Sequence, residues 1–535
     1  SPAAFNIASE TYYRLDVPGG TIAVRMEAEI SPGKGELTTV TLWAMPGATN
    51  VLLKQDDAPL EPEITAAVPE TEVPAVIKAK LAKPVKNSLR SKLLLTYDVP
   101  AQQNPLTSVE RGVIESQFVS QGPGSFVFID MPVAGDNYVE PGCLLAADQP
   151  GSVKDDGFER WVCGDALTIA LSTEEKEVQQ QCAALSDRCR QRAVLAPFAG
   201  YAQSITDDAK RGLLEGEVTL ARGPVRISLK YFRADAAWAQ QEFEAAKKAL
   251  PLLEEAFGWP YPHDVVNLRQ SRFIEWAGAA GVAFPNEGQM LLARTGVGTF
   301  DSEVTVHELA HQWAGRNLES NWLWEGLAEY GMKAVAPAMG FTPSRAGQWE
   351  QLGYKDPLAT WYNGSAVYNP DYWYGKAGAF WLEFEKAVGG RENMRAVLAQ
   401  TDDAQARWPL DGQWFMNRGE QVSGANLDEL FLTWVFVRER AAPLLAERRA
   451  AQDQVKAFRA DAAAGGLAGT PTDLQAMLDS WQFAGVADLV ATGNRAVAEY
   501  AAVKVLAADA GLELGTAVAD GWGKTSIGQS LRLMT

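Results

Sequence analysis

The sequence predicts a multidomain α+β protein: a β-rich N-terminal part, a mixed α/β middle and a short α-helical C-terminal part. Three observations carry this. The chain has 535 residues, 47% of them hydrophobic. At about 150 residues per domain, that is several domains with ample material for large cores. Apolar residues alternate along the first part, and their spacing turns helical beyond about residue 235.

In chain order, TIAVRMEAEI (21–30), TTVTLWAM (38–45) and SFVFIDMPV (125–133) alternate apolar and polar residues and read as strands. The Pro-, Lys- and Ala-rich stretch 58–90 fits no pattern well. VRISLKYF (225–232) reads as the last strand of this part. AAWAQQEFEAAKKALPLLEEAFG (236–258) then places Trp238, Phe243, Ala246, Leu250, Leu253 and Phe257 on one helical face, with Gly258 as the stop. Helical patterns follow at 302–316, 322–335, 376–389, 393–400 and 427–450. In the Ala-rich tail they recur at 472–483, 484–493 and 495–511. The expected domains are 1–225, 226–445 and 446–535.

Lys+Arg number 48 and Asp+Glu 67, a net charge of −19. Such a surface repels phosphate backbones and anionic lipid, so no nucleic-acid partner is expected. No run of 18 apolar residues exists to form a membrane-spanning helix. The chain begins SPAAFN, which fits a processed product whose signal peptide has gone. The cysteines are Cys143, Cys163, Cys182 and Cys189, with no C-x-x-C. Three pairings are open; Cys182–Cys189 and Cys143–Cys163 are favoured over free thiols. Disulfides favour a periplasmic or secreted location over a cytoplasmic one.

Only three histidines occur, and two of them lie in HELAHQW (307–313). Residues four apart share a helix face, so His307 and His311 can grip one zinc ion. Glu308 points about 100° away and reaches a water on the metal's open side. Catalytic zinc takes three protein ligands and a water that it acidifies; Glu308 would accept that proton and pass it to the leaving amine. Chance yields such a motif with odds on the order of one in a thousand. The bland alternative is two histidines hydrogen-bonded on a buried face. The candidate third ligand is Glu325 of WEGLAEY (324–330), if that helix packs against the first, and Glu329 one turn on could then accept a ligand histidine's free N–H. Their neighbours Trp322, Trp324, Leu327 and Tyr330 suggest burial; the bland alternative is a pair of solvated carboxylates. His263, in a PYPH turn, reads as structural.

These residues resemble the aminopeptidase N-like family of zinc metallopeptidases, which includes leukotriene hydrolase. WEGLAEY is similar to the family's ligand segment, FGWPYPHDVVNL (257–268) to its entry to the catalytic domain, YGKAGAFWLEF (374–384) to its Tyr-x-Lys-Gly segment, and NLDELFLTWV (426–435) to a stretch near that domain's end. The resemblance covers about 225–445 and, in character only, the β-rich part. It implies a saddle-like β domain before a thermolysin-like catalytic domain. It also implies one zinc ion and a peptide or protein substrate, and it gives Tyr374 the role of oxyanion donor.

Two departures stand out. Thirteen residues separate His311 from Glu325, fewer than is usual in the family. The family's Gly-x-Met-Glu-Asn strand, whose glutamate binds the substrate's amino group, is matched by GVAFPNEG (281–288), aligned with Gly281 at the motif's second position and so with Ala283 in the glutamate's place. Gly281, Val282 and Ala283 remain candidates for backbone pairing with a peptide, and Glu287 or Glu275 for replacing the lost carboxylate. Aminopeptidase, by family, and endopeptidase, by this departure, therefore both stay open. An inactive peptide-binding scaffold is the alternative of another class; a non-peptidase hydrolase on the same metal has no specific support. Oligomeric state is not legible.

Overall fold

The computed structural model describes residues 5–32, 35–65, 75–86, 89–104, 106–121, 125–140, 143–145, 157–163, 198–272, 280–294, 299–315, 318, 320–345, 347–361, 367, 369–404, 410–513 and 516–534. The chain forms two compact units. One comprises 1–316, 327–352 and 362–378; the other comprises 317–326, 353–361 and 379–535.

The first unit opens with β-structure. An eight-stranded sheet runs edge to edge through Cys143–Leu145, Phe158–Cys163, Phe126–Pro132, Phe5–Asp16, Thr21–Pro32, Ser91–Val99, Thr49–Gln55 and Ala58–Leu60. The alternation read at 21–30 is real: Val24, Met26, Ala28 and Ile30 are buried while their neighbours face outward. They share one core with Val40, Leu42 and Ile77 of a three-stranded sheet, Glu36–Ala44, Ala75–Lys86 and Pro62–Thr65. The stretch 58–90, unassigned from sequence, thus contributes three strands. A five-stranded sheet follows: Asp136–Val139, Phe198–Ile205, Val113–Val119, Thr107–Glu110 and Gln102–Asn104. Cys143 and Cys163 face each other in register on adjacent strands and form a disulfide. Cys182 and Cys189 lie outside the described residues.

The sheet that carries the site has the order Arg211–Leu220, Gly223–Phe232, Val265–Gln270, Gln289–Leu292, Gly281–Phe284. Gly223–Phe232, Val265–Gln270 and Gln289–Leu292 are parallel neighbours, and Gly281–Phe284 pairs antiparallel at the edge. Helix α1 (Ala236–Phe257) buries the predicted face: Trp238, Phe243, Ala246, Leu250, Leu253 and Phe257. Gly258 ends it in the left-handed region at φ 77°, its N–H donating to the Glu254 carbonyl.

Three helices complete the frame of the site: α2 (Thr299–Ala314), α3 (Asn321–Met339) and α4 (Pro370–Ala387). The division between the units falls within α3 and α4. In the first unit α3 meets α2 closely, since a Cβ at Gly331 would lie 3.0 Å from that of Ala310. It meets α4 as closely at Gly378, where a Cβ would lie 2.8 Å from that of Glu329. Small residues at both crossings let the backbones approach.

The second unit is helical and its core is aromatic. Trp322 stacks on Trp381 and meets Phe380 edge-on, and Trp381 meets Phe415 at 4.9 Å between centroids. Phe380, Trp381, Phe384, Phe415 and Phe431 are fully buried, each contributing about 1.5–3 kcal/mol by transfer from water. The helix expected over 427–450 is instead two, α5 (Asp428–Trp434) and α6 (Arg438–Ala464), and the pieces expected at 484–493 and 495–511 are one helix, α7 (Val486–Asp509). In Val486–Asp509 the alanines hide the join, because they offer little apolar contrast; the break between α5 and α6 falls at Val435–Val437, where the apolar run continues and gives no stop signal.

Candidate metal centre and active site

HELAHQW lies in the last turns of α2. The helix is held from below by Val306, Leu309, Ala310 and Trp313, all buried. Trp313 stacks on Phe257 of α1 and donates its indole N–H to the Trp259 carbonyl at 3.0 Å. His307, Glu308 and His311 are each over 90% buried, and the two imidazoles stand edge to face at 4.9 Å between centroids.

Glu325 sits in the second turn of α3. One ligand atom each from His307, His311 and Glu325 lie within 4.8 Å of one another, a set able to hold a metal ion. The Trp324 indole N–H donates to Glu325 Oε1 at 2.8 Å. Trp324 itself is 40% exposed, whereas Trp322, Leu327 and Tyr330 are buried. The burial that these neighbours suggest for the two carboxylates therefore holds for Glu329 but only in part for Glu325, which is half-buried beside Trp324. Trp324 follows Trp322 by two positions, about 200° around the helix, and so faces away from the aromatic core.

Glu329 is the interior carboxylate of the group, 1% exposed. Its Oε1 lies 3.3 Å from His307 Nδ1. Lys333 Nζ, one turn along α3, approaches Oε2 at 3.0 Å, an ion pair without the angles of a hydrogen bond. Arg345 Nη1 lies 3.7 Å from Oε1. Burial pushes the Glu329 carboxyl up, but the His307 hydrogen bond and the charges of Lys333 and Arg345 outweigh it and hold the group at about 2.

Tyr374 lies in the second turn of α4, its ring 6.0 Å from that of His307. The Arg345 guanidinium covers the other part of that ring at 4.7 Å.

The edge strand Gly281–Phe284 flanks the acid of the motif. Val282 and Phe284 pack against Tyr201, Leu291 and Ala293. Gly281 and Ala283 consequently face the other way. A Cβ at Gly281 would stand 2.4 Å from Glu308 Cγ and 2.7 Å from its Oε1. The strand can therefore lie against Glu308 only with glycine here. Glu287 is exposed in the following turn, where its N–H closes onto the Phe284 carbonyl at 3.1 Å; Glu275 lies outside the described residues. His263, as read from sequence, is structural: its Nε2 bonds the Pro285 carbonyl at 2.7 Å.

Sequence reasoning missed several groups around this centre. Lys333 had a signal, a Glu–Lys pair four apart on one helix. Glu303 had one too, four residues before His307. Arg345, Ser344 and Glu242 had none, because their partners are distant in sequence.

No protein-family model matches the chain, and no curated protein matches it. Among solved structures the chain is similar to an M1 zinc metallopeptidase from Deinococcus radiodurans, at 16% identity over 81% of this chain and 94% of that one, with a TM-score of 0.41. A variant of the Deinococcus enzyme bound to a Tyr-Ser-Ala substrate matches at 15% identity over the same shares, with a TM-score of 0.39. Legionella pneumophila aminopeptidase A, in complex with aspartic acid, matches at 11% identity over 80% of this chain and 49% of that one, with a TM-score of 0.41. The solved structures that the chain is similar to are thus M1 zinc metallopeptidases and an aminopeptidase, all at low sequence identity.

Proposed function

We propose that this protein is a zinc-dependent metallopeptidase of the aminopeptidase N-like family. The observation that carries the reading is the convergence of His307, His311 and Glu325 within 4.8 Å, with Glu308 held beside them against the bare Gly281. Two imidazoles and one carboxylate suit zinc in number and in kind. With Nδ1 of His307 engaged by Glu329, Nε2 is its ligand nitrogen. When bound, the ion supplies Lewis acidity and a nucleophilic water at neutral pH.

The chain's own residues do the rest. Glu308 accepts a proton from the attacking water and delivers it to the departing amine. Tyr374 donates its hydroxyl to the carbonyl oxygen on which charge develops. Glu329 stays ionised and keeps His307 oriented. The edge strand offers its backbone to an extended peptide, as an added strand would use it.

Aminopeptidase action is the preferred outcome, on the resemblance of the motifs. Ala283 favours a second reading, endopeptidase action, because a methyl group cannot pair with an ammonium ion, and Glu287 stands exposed in the turn beyond the strand. Metal analysis of the purified protein, with cleavage of matched peptides bearing free and acetylated amino termini, tests all of this. One zinc per chain and cleavage of the free peptide alone is expected. Equal cleavage of both would establish the endopeptidase reading; zinc binding without any cleavage would favour a peptide-binding scaffold. The Cys143–Cys163 disulfide supports an extracytoplasmic location. No helix among the described residues is long and apolar enough to cross a membrane.

A further inference from the structure

The three helices that carry the site are joined by two adjacent residues of the segment after α3. Ser344 binds α2: its N–H and its hydroxyl both donate to the buried Glu303 carboxylate, at 2.9 and 3.1 Å. Glu303 lies one turn before His307 on the same face. Arg345 binds the other two helices. Its guanidinium lies 3.7 Å from Glu329 on α3, donates from Nε to Asp371 on α4 at 3.2 Å, and covers the Tyr374 ring at 4.7 Å. The backbone follows: a Cβ at Gly375, beside Tyr374, would meet Trp349 Cβ at 3.0 Å and the Arg345 carbonyl at 3.4 Å.

We propose that Ser344–Arg345 is a positioning clasp that fixes the Tyr374 ring relative to the histidines of α2. A tyrosine side chain on a helix keeps a freedom that the backbone does not fix, rotation about χ1 and χ2. A planar cation lying on the ring closes it, and the same cation is registered against the carboxylate that holds His307. One guanidinium thus sees both the acid behind the metal ligand and the ring of the oxyanion donor. Arg is required for this, because an ammonium lacks the flat face and the fork. What the clasp is for rests on the peptidase reading above; the contacts that make it do not.

The test has two arms. In the first, metal-free protein is labelled with 3-fluorotyrosine, and the signal of Tyr374, one of 14 tyrosines, is assigned by its loss in Tyr374→Phe. Arg345→Met is expected to shift and broaden that 19F resonance while the others stay in place; an unchanged Tyr374 resonance would overturn the proposal. Should the Met variant fail to fold, Asp371→Asn loosens Arg345 through a half-exposed partner and is read on the same resonance. In the second arm, the zinc-loaded Arg345→Met protein should lose about tenfold in kcat with KM nearly unchanged, and Arg345→Lys should recover only part. In a Tyr374→Phe background the same substitution should cost almost nothing further. Full additivity would mean that Arg345 does not act through Tyr374, and the clasp would fail. A zinc-loaded parent that cleaves no peptide would refute the peptidase reading, and the resonance would still decide the clasp.

Discussion

Glu242 lies in the interface between α1 and α2 with no solvent access. It accepts from Thr305 Oγ1 at 2.7 Å and from Ser302 Oγ at 3.1 Å, both in the first two turns of the helix that bears the histidines. Burial is the main cause that raises its carboxyl; the two hydroxyls lower it, Asp301 raises it further, and the balance is about 7. Below pH 4.5 the group is neutral whether the chain is folded or not, so it costs nothing. Between 4.5 and 7 the unfolded chain releases the proton and the folded one keeps it, so stability falls as pH rises. Above 7 the cost is complete: at about 1.36 kcal/mol per pH unit it comes to about 3 kcal/mol. Glu242→Gln keeps the shape and an acceptor for Thr305 but cannot ionise. The variant should match the parent near pH 4.5 and exceed it by about 2–4 kcal/mol at pH 8. Urea unfolding of both proteins at several pH values from 4.5 to 8.5 measures this. A difference that does not change with pH, or a variant less stable than the parent at pH 8, would refute the reasoning.

Further outcomes concern the centre itself. Glu308→Gln should retain its zinc, measured by elemental analysis, while turnover of a peptide substrate falls by about 10²–10⁴; near-normal turnover would remove Glu308 as the base. Tyr374→Phe should lower kcat by about 10²–10³ with a smaller change in KM, and the opposite pattern in steady-state kinetics would point to a packing role. Glu329→Gln should weaken zinc binding about 10–100-fold in a chelator competition. Because the Glu329 carboxyl is held at about 2, its contribution to stability is complete above pH 4.5 and fades as pH falls from there toward 2; acid unfolding of the parent and of this variant should converge in that window.

The centre was legible because its chemistry is local. His307, Glu308 and His311 fall within five residues, and helical geometry alone puts the two imidazoles on one face. Glu325 and Glu329 followed from the same rule on α3. What the sequence hid is whatever depends on a crossing between elements. Ser344 and Arg345 sit in a loop with no periodicity, and their partners Glu303 and Asp371 are 41 and 26 residues away. Glu325 is less buried than its apolar neighbours suggest, because Trp324 beside it lies on the exposed side of the helix. The fold followed the same division. Alternation exposed the strands with one clean buried face, such as Thr21–Pro32, but not Ala75–Lys86, where it holds as far as Leu81 and then breaks over the three exposed residues Ala82, Lys83 and Pro84. Alanine blurred the join within Val486–Asp509, and the apolar run Trp434–Val437 hid the end of the helix at Trp434.

The bare position beside Glu308 also bears on how this protein can vary. Gly281 and Ala283 are two residues apart on one face of a short strand, yet their tolerance should differ sharply. At 281 even a methyl group would collide with Glu308, so a saturation library selected for activity should recover glycine alone. At 283 the strand already accommodates a methyl group, and larger side chains should survive there. Diversity on this face of the strand would thus be confined to position 283, which, on the peptidase reading proposed above, is where the treatment of a substrate's chain end can be altered without disturbing the chemistry next to it.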